Sequence, residues 1–210
     1  MKPGKKDWSL MIGASIAVLA VVWGLVPLEP AHAASPNVGD AVYRDGVVWG
    51  LEWHAAIMDD PHYNTTTLPV IQQGGSGYVK WESWAGFLGG KTYQGYYRPK
   101  GTITEAMRDN FRFMARKLKD DQIQYNVIYQ VYYAPKTGAV WVMPADVESM
   151  RCDGVVEYVY EWYGFRVFGE TNSTWDVTRS DWLTREQHTF PNIGPKKQAS
   201  LLTRVGSGLP

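Results

Sequence analysis

Cysteine occurs once in this chain of 210 residues, at position 152. A single thiol closes no internal disulfide, so the fold has to be held by its apolar core rather than by cross-links. Neither sign of charge is in excess: 21 Lys and Arg balance 21 Asp and Glu. That excludes the basic footprint of a nucleic-acid binder. No internal repeat is visible, which removes the solenoid and propeller architectures. Histidine is scarce too, confined to His32, His54, His62 and His188. Any imidazole base must come from this short set.

What is present is ordinary globular material. The hydrophobic fraction is 45% and the charged fraction 20%, a balance that suits one domain with a real core, or at most two small ones. Ten Trp and thirteen Tyr stand out. Aromatics on this scale favour strands and aromatic-lined grooves.

The first residues, "MKPGKKD", carry three lysines, and the uncharged run "WSLMIGASIAVLAVVWGLVPL" comes next. "EPAHAASP" then sets Ala31 and Ala33 in an A-x-A arrangement. A basic start, an apolar run and a small-residue site are the pattern of a secretory signal peptide over residues 1–33, with cleavage near Ala33–Ala34. The apolar run is also long enough, at roughly 20 residues, to span a bilayer, so an uncleaved N-terminal membrane anchor is the alternative. Both readings place residues 34–210 outside the cytoplasm, secreted or held at the membrane. A lone thiol in an oxidising compartment is a liability unless it is buried, paired between molecules or employed.

From Ser35 the chain reads as one domain. Turn signals at Val38-Gly39-Asp40 and Asp45-Gly46 bracket a short strand, and "LEWHAAIM" and "LPVIQQ" read as two more, the last ended by "GGSG". The clearest helix is "TITEAMRDNFRFMARKLKD", capped by Thr102 or Thr104. Ile103, Met107, Phe111, Met114 and Leu118 recur on one face of it, as core packing does. "YNVIYQVYY" is ambiguous between strand and helix. A second helix opens near Ser149 or Arg151 and runs to Gly164, a natural stop. The tail from about residue 171 is polar and turn-rich, and is expected to be peripheral, wrapping the surface with mobile last residues.

Cys152 therefore falls in the first turn of a helix, near unpaired N–H groups and the positive end of the macrodipole. Both favour thiolate, and the same N–H groups can stabilise an oxyanion. The competing reading is a small buried hydrophobe, the usual state of free cysteine. A nucleophile would need a base. His54, on a strand and followed by two alanines, leaves room for another element to approach the ring. His62 lies in the polar loop "DDPHYN"; Asp59, Asp60 and His62 lack the spacing of a metal site. His188, in the turn-rich tail, reads as an ordinary surface histidine.

"RCDGVVEYVYEWYGF" resembles the nucleophile helix of NlpC-type papain-like cysteine peptidases, in which Cys precedes a small or polar residue, Gly, and then apolar and aromatic positions. In the ordinary order of that family His follows Cys. Here the better match is upstream: "VGDAVYRDG", "WHAAIM" and "LPVIQQGG" are similar to the circularly permuted branch, the YiiX-like proteins and the lecithin–retinol acyltransferase relatives. The resemblance covers roughly residues 38–168. It implies an α+β, papain-like fold, with a small antiparallel sheet packed against the cysteine-bearing helix. It also implies a nucleophile at Cys152, a base at His54 and a third polar residue at Gln72, with Gln73 the alternative should the register slip. Asp153 stands where Ser is frequent in the family, and an acid there opposes thiolate formation.

The resulting expectation is a secreted or envelope-associated bacterial cysteine hydrolase, acting on amide bonds such as those of peptidoglycan peptides, with no metal or organic cofactor. Two rivals remain open. One keeps the catalytic residues but acts on lipid or other acyl esters. The other is a non-catalytic extracellular binding module with a buried Cys152.

Overall fold

The computed structural model describes residues 35–46, 52–60, 68–75, 77–134, 136, 138–169, 175–180, 188–189 and 192–209. The described residues belong to one compact unit, His32–Pro210. The leader or anchor expected over residues 1–33 lies outside the described residues, as does His62. Among the described residues no helix is long and apolar enough to cross a membrane.

The architecture is mixed α+β, built on a six-stranded antiparallel sheet. In chain order the strands and helices are β1 (Ala41–Asp45), β2 (Trp53–Met58), β3 (Val70–Gln72), β4 (Lys80–Glu82), α1 (Trp84–Leu88), β5 (Tyr93–Arg98) and α2 (Glu105–Asp120). Next come β6 (Gln124–Tyr125), β7 (Val131–Tyr133), a 3-10 turn (Pro144–Asp146), β8 (Val147–Met150), α3 (Cys152–Trp162), α4 (Pro195–Leu201) and β9 (Thr203–Gly206). The large sheet runs β4-β3-β2-β1-β5-β9 and a small one runs β6-β8-β7.

Period-two alternation gives the large sheet two apolar faces. Ala41, Tyr43, Ala55, Ile57 and Ile71 face α2 and α3 and join the main core with Phe111, Leu118, Val155 and Val159. Val42, Ala56, Met58 and Val70 face the other way, onto Trp84 and Phe87 of α1. In the main core Phe111 meets Tyr160 edge-on at 4.9 Å, a geometry worth about 0.5–1.5 kcal/mol beyond the area it buries. α2 starts where the sequence marks it, since the Thr104 side chain accepts the Met107 N–H.

The turn before β1 needs its glycine. Gly39 has φ +76°, and a Cβ there would meet the Arg108 carbonyl at 2.7 Å. Asp40, buried beside it, takes Arg98 in two bonds, Nε to Oδ1 at 2.6 Å and Nη2 to Oδ2 at 2.9 Å. Tyr160 at the far end of α3 donates to the Gly39 carbonyl at 3.0 Å. The Gly-Asp turn thus ties β1 to α2, α3 and β5 together.

Two sequence expectations are corrected and one open reading is decided. The tail is not merely peripheral: β9 pairs with β5 as an edge of the large sheet, and Gln198 of α4 is fully buried. There Gln198 Oε1 accepts Tyr43 O–H at 2.9 Å, while its Nε2 donates to the Asp153 carbonyl at 2.9 Å and to Glu157 Oε2 at 2.7 Å. An edge strand of four residues with little alternation carries no strand signal of its own. "YNVIYQVYY" resolves into two short strands, β6 and β7, set against β8. His188 is buried, with Trp175 at 5.4 Å and Phe168 at 6.2 Å, both edge-on, and is no surface residue.

Candidate active site

α3 delivers Cys152 to the sheet. Its N-cap, Arg151, makes no side-chain cap bond; of the leading N–H groups, that of Gly154 bonds to the Arg151 carbonyl at 3.1 Å and that of Asp153 turns to the Cys152 thiol. The helix start lies hard against the preceding strands: a Cβ on Gly154 would fall 1.9 Å from the Gln130 carbonyl oxygen. Only glycine permits that approach.

The contact between Cys152 and β2 follows from the ladder. Met58 N–H bonds to Asp40 O on the β1 side and Asp59 N–H to Pro69 O on the β3 side. Alternating back along the strand, Ala55 N–H points to the β3 side. The β2–β3 register stops at Ala56 opposite Gln72, so Ala55 lies beyond the end of β3. There its backbone hydrogen-bonds the Cys152 thiol.

His54 is the preceding residue of β2. Its ring lies on the α1 face, 5.7 Å from the Phe87 ring, and its Nε2 is 2.5 Å from Gln72 Oε1. The Gln72 amide is oriented by its other end, which donates to Glu82 Oε2 at 3.4 Å; Glu82 is itself held by Lys80 at 2.8 Å. With a carbonyl oxygen facing it, Nε2 must carry the proton. Nδ1 is then the basic nitrogen of the ring. Gln73 faces away and donates to the Ile123 carbonyl at 3.1 Å. The structure therefore brings His54 and Gln72 together, and sets Cys152 against the residue next to His54. Among the described residues no hydrogen bond joins the thiol to the ring.

Both groups rest neutral. Burial, aided by the Asp153 carboxylate, pushes the Cys152 thiol up to about 12, against pulls from the Ala55 backbone, Arg151 and the Asp153 backbone. Burial takes the His54 imidazole down to about 4; the Gln72 bond draws it up, Arg44 presses it down and Asp153 draws it up. Both shifts favour the neutral thiol and imidazole over a standing thiolate–imidazolium pair, so the proton would leave sulfur as a new bond forms. Tyr125, raised by burial and close enough to Cys152 for an ionised thiol to raise it further, lines a concavity of about 370 Å³ with Gly75, Gly77, Tyr78 and Gln124.

Asp59 is committed to Arg116 at 2.7 Å and 3.0 Å, and among the described residues no cluster of acids, His and Cys could hold a metal ion. Sequence reading missed Arg44, which lies directly across from His54, and, beyond Asp153, the continuation of an acid row along α3 in Glu157 and Glu161. The i, i+4, i+8 spacing of those carboxyls within an apolar helix is the signal that marks them. Comparison with family models, with curated proteins and with solved structures finds no match to this chain.

Proposed function

We propose that this chain is an extracytoplasmic cysteine hydrolase of papain-like fold, cleaving amide bonds in peptides of the cell-wall kind. The observation that carries the reading is the 2.5 Å contact of His54 Nε2 with Gln72 Oε1, because it fixes the tautomer that leaves Nδ1 free to act as a base. The Cys152 sulfur attacks the scissile carbonyl as its proton passes to Nδ1. The oxyanion is met by N–H groups at the start of α3. Collapse of the adduct breaks the C–N bond, and the imidazolium returns its proton to the leaving amine. Water, deprotonated by His54, then hydrolyses the thioester and restores the thiol.

The buried, neutral thiol favours a second reading, a binding module in which Cys152 is only core. Full-length protein assayed on peptide amides and on matched acyl esters separates the readings. Amide cleavage lost by at least about a thousandfold in both Cys152→Ala and His54→Ala supports the hydrolase. Faster turnover of esters moves the substrate class to acyl esters. Activity that survives Cys152→Ala, or a thiol inert to iodoacetamide until the protein is denatured, overturns both enzymatic readings.

A further inference from the structure

The carboxylates that touch the candidate site are already paired. Asp153 is gripped by Arg151 at 2.7 Å, and Glu82 by Lys80 at 2.8 Å. Asp45 turns its carboxylate to the Thr92 N–H at 2.8 Å. Among the described residues one cation at the site has no carboxylate. Arg44 makes no salt bridge among the described residues; its Nη1 donates to the Asp45 carbonyl at 3.0 Å, and its Nε is buried with no hydrogen-bond partner.

Two independent contacts place it. Arg44 on β1 pairs directly with His54 on β2, which sets the two side chains on one face with Cβ atoms about 4.5–5.5 Å apart. Its guanidinium stands 5.8 Å from the Phe87 ring centre, and the same ring lies 5.7 Å from His54. The guanidinium and the imidazole thus both lie within 6 Å of the centre of one phenyl ring. At 5.8 Å the arginine is at the outer limit of a cation–π contact, so Phe87 holds it weakly. Arg44 as a whole is half-buried.

We propose that Arg44 anchors the substrate of this site by its carboxylate, and that the substrate class is an acidic peptide with a free carboxylate close to the scissile carbonyl. The cleavage part rests on the hydrolase reading; the anion site does not. A guanidinium offers a planar, two-pronged donor set that matches a carboxylate. Docking there would compensate the charge and bring the acyl group beside His54. Because Arg44 presses the His54 pKa down, a docked carboxylate would also raise it.

The test uses the full chain carrying Cys152→Ala, so that nothing turns over. The probes are N-acetylglycine, its uncharged match N-acetylglycinamide, and inorganic phosphate, titrated by calorimetry and by NMR of the His54 imidazole. The acid is expected to bind at least tenfold more tightly than the amide and to raise the His54 pKa. Arg44→Gln should abolish that preference and by itself raise the His54 pKa. Arg44→Lys, which keeps the charge but loses the fork, should recover only part of the binding. Equal binding of acid and amide, undiminished acid binding in Arg44→Gln, or tighter binding of phosphate than of the acid overturns the proposal. With Cys152 present, substrates with and without the carboxylate should differ at least tenfold in kcat/KM, and the ratio should fall towards one in Arg44→Gln. Arg44-dependent binding of the acid in a protein that hydrolyses nothing upholds the anion site and removes the hydrolase reading alone.

Discussion

Arg151 and Asp153 grip each other on either side of Cys152, Nε to Oδ1 at 2.9 Å and Nη2 to Oδ2 at 2.7 Å, with both side chains fully buried. Gln130 adds a third bond to Asp153, at 3.1 Å, and Arg151 also donates to the Ile128 and Ile193 carbonyls at 3.2 Å and 3.1 Å. The acid beside the cysteine is therefore a structural clamp on the start of α3, not a free charge. It still raises the thiol pKa, second only to burial.

Asp153→Asn should strip the clamp of its anion and leave Arg151 buried without a counter-charge, at a cost of about 3–5 kcal/mol in urea unfolding. Replacing both partners, as in Arg151→Met with Asp153→Leu, should recover much of that loss. In Asp153→Asn protein that remains folded, the alkylation of Cys152 should speed up at any given pH, because the charge that opposes thiolate is gone. A stability unchanged in Asp153→Asn would remove the clamp.

What the sequence disclosed and what it withheld divide along physical lines. The period of four and three in residues 103–118 reports burial of one helix face, and α2 forms there with the Thr104 cap. Alternation in "VIQQ" separates Gln72 from Gln73, and they do face opposite ways. By contrast, β6 and β9 are two and four residues long and are held by partners distant in sequence, so local pattern carries almost nothing about them. His188 looked polar by its neighbours, yet the rings that enclose it come from elsewhere in the chain. Arg44 was overlooked for the same reason: its meaning lies in the strand register, not in its flanks.

Glu157 and Glu161 predict how stability varies with pH. Burial raises the Glu157 carboxyl from its ordinary 4.5 to about 8, while Gln198, Glu161 and the Phe168 N–H pull it back and Asp153 pushes it further up. Glu161 is raised as well, by burial and by Glu157, against the Val177 N–H and Arg166, with Asp176 raising it further. A carboxyl whose folded pKa exceeds its unfolded one contributes fully below the unfolded value and loses that contribution as pH rises through the folded value. The melting temperature should therefore fall between about pH 4.5 and pH 8. Glu157→Gln should flatten this slope, since the amide cannot ionise; its single oxygen keeps one of the two N–H donors, from Phe168 and Gln198, and gives up the other. A wild-type slope retained in Glu157→Gln would assign the dependence to other groups.

Gln72 offers the sharpest distinction between a working base and a buried histidine. Burial drives His54 from 6.5 to about 4, and the Gln72 bond is the largest pull in the other direction. The His54 contribution to stability is thus present above about pH 6.5 and lost as pH falls through about 4. Gln72→Ala leaves Nε2–H buried without an acceptor, at a cost of about 1–3 kcal/mol, and frees the ring to exchange tautomers. Its His54 pKa should fall further, and turnover should drop by at least tenfold. Gln72→Glu supplies a negative acceptor instead and should raise the His54 pKa. In an enzyme, that would shift the acid limb of the kcat/KM profile upward in step with the NMR titration of the ring. A buried histidine without catalytic work would show the NMR shift with no matching change in rate.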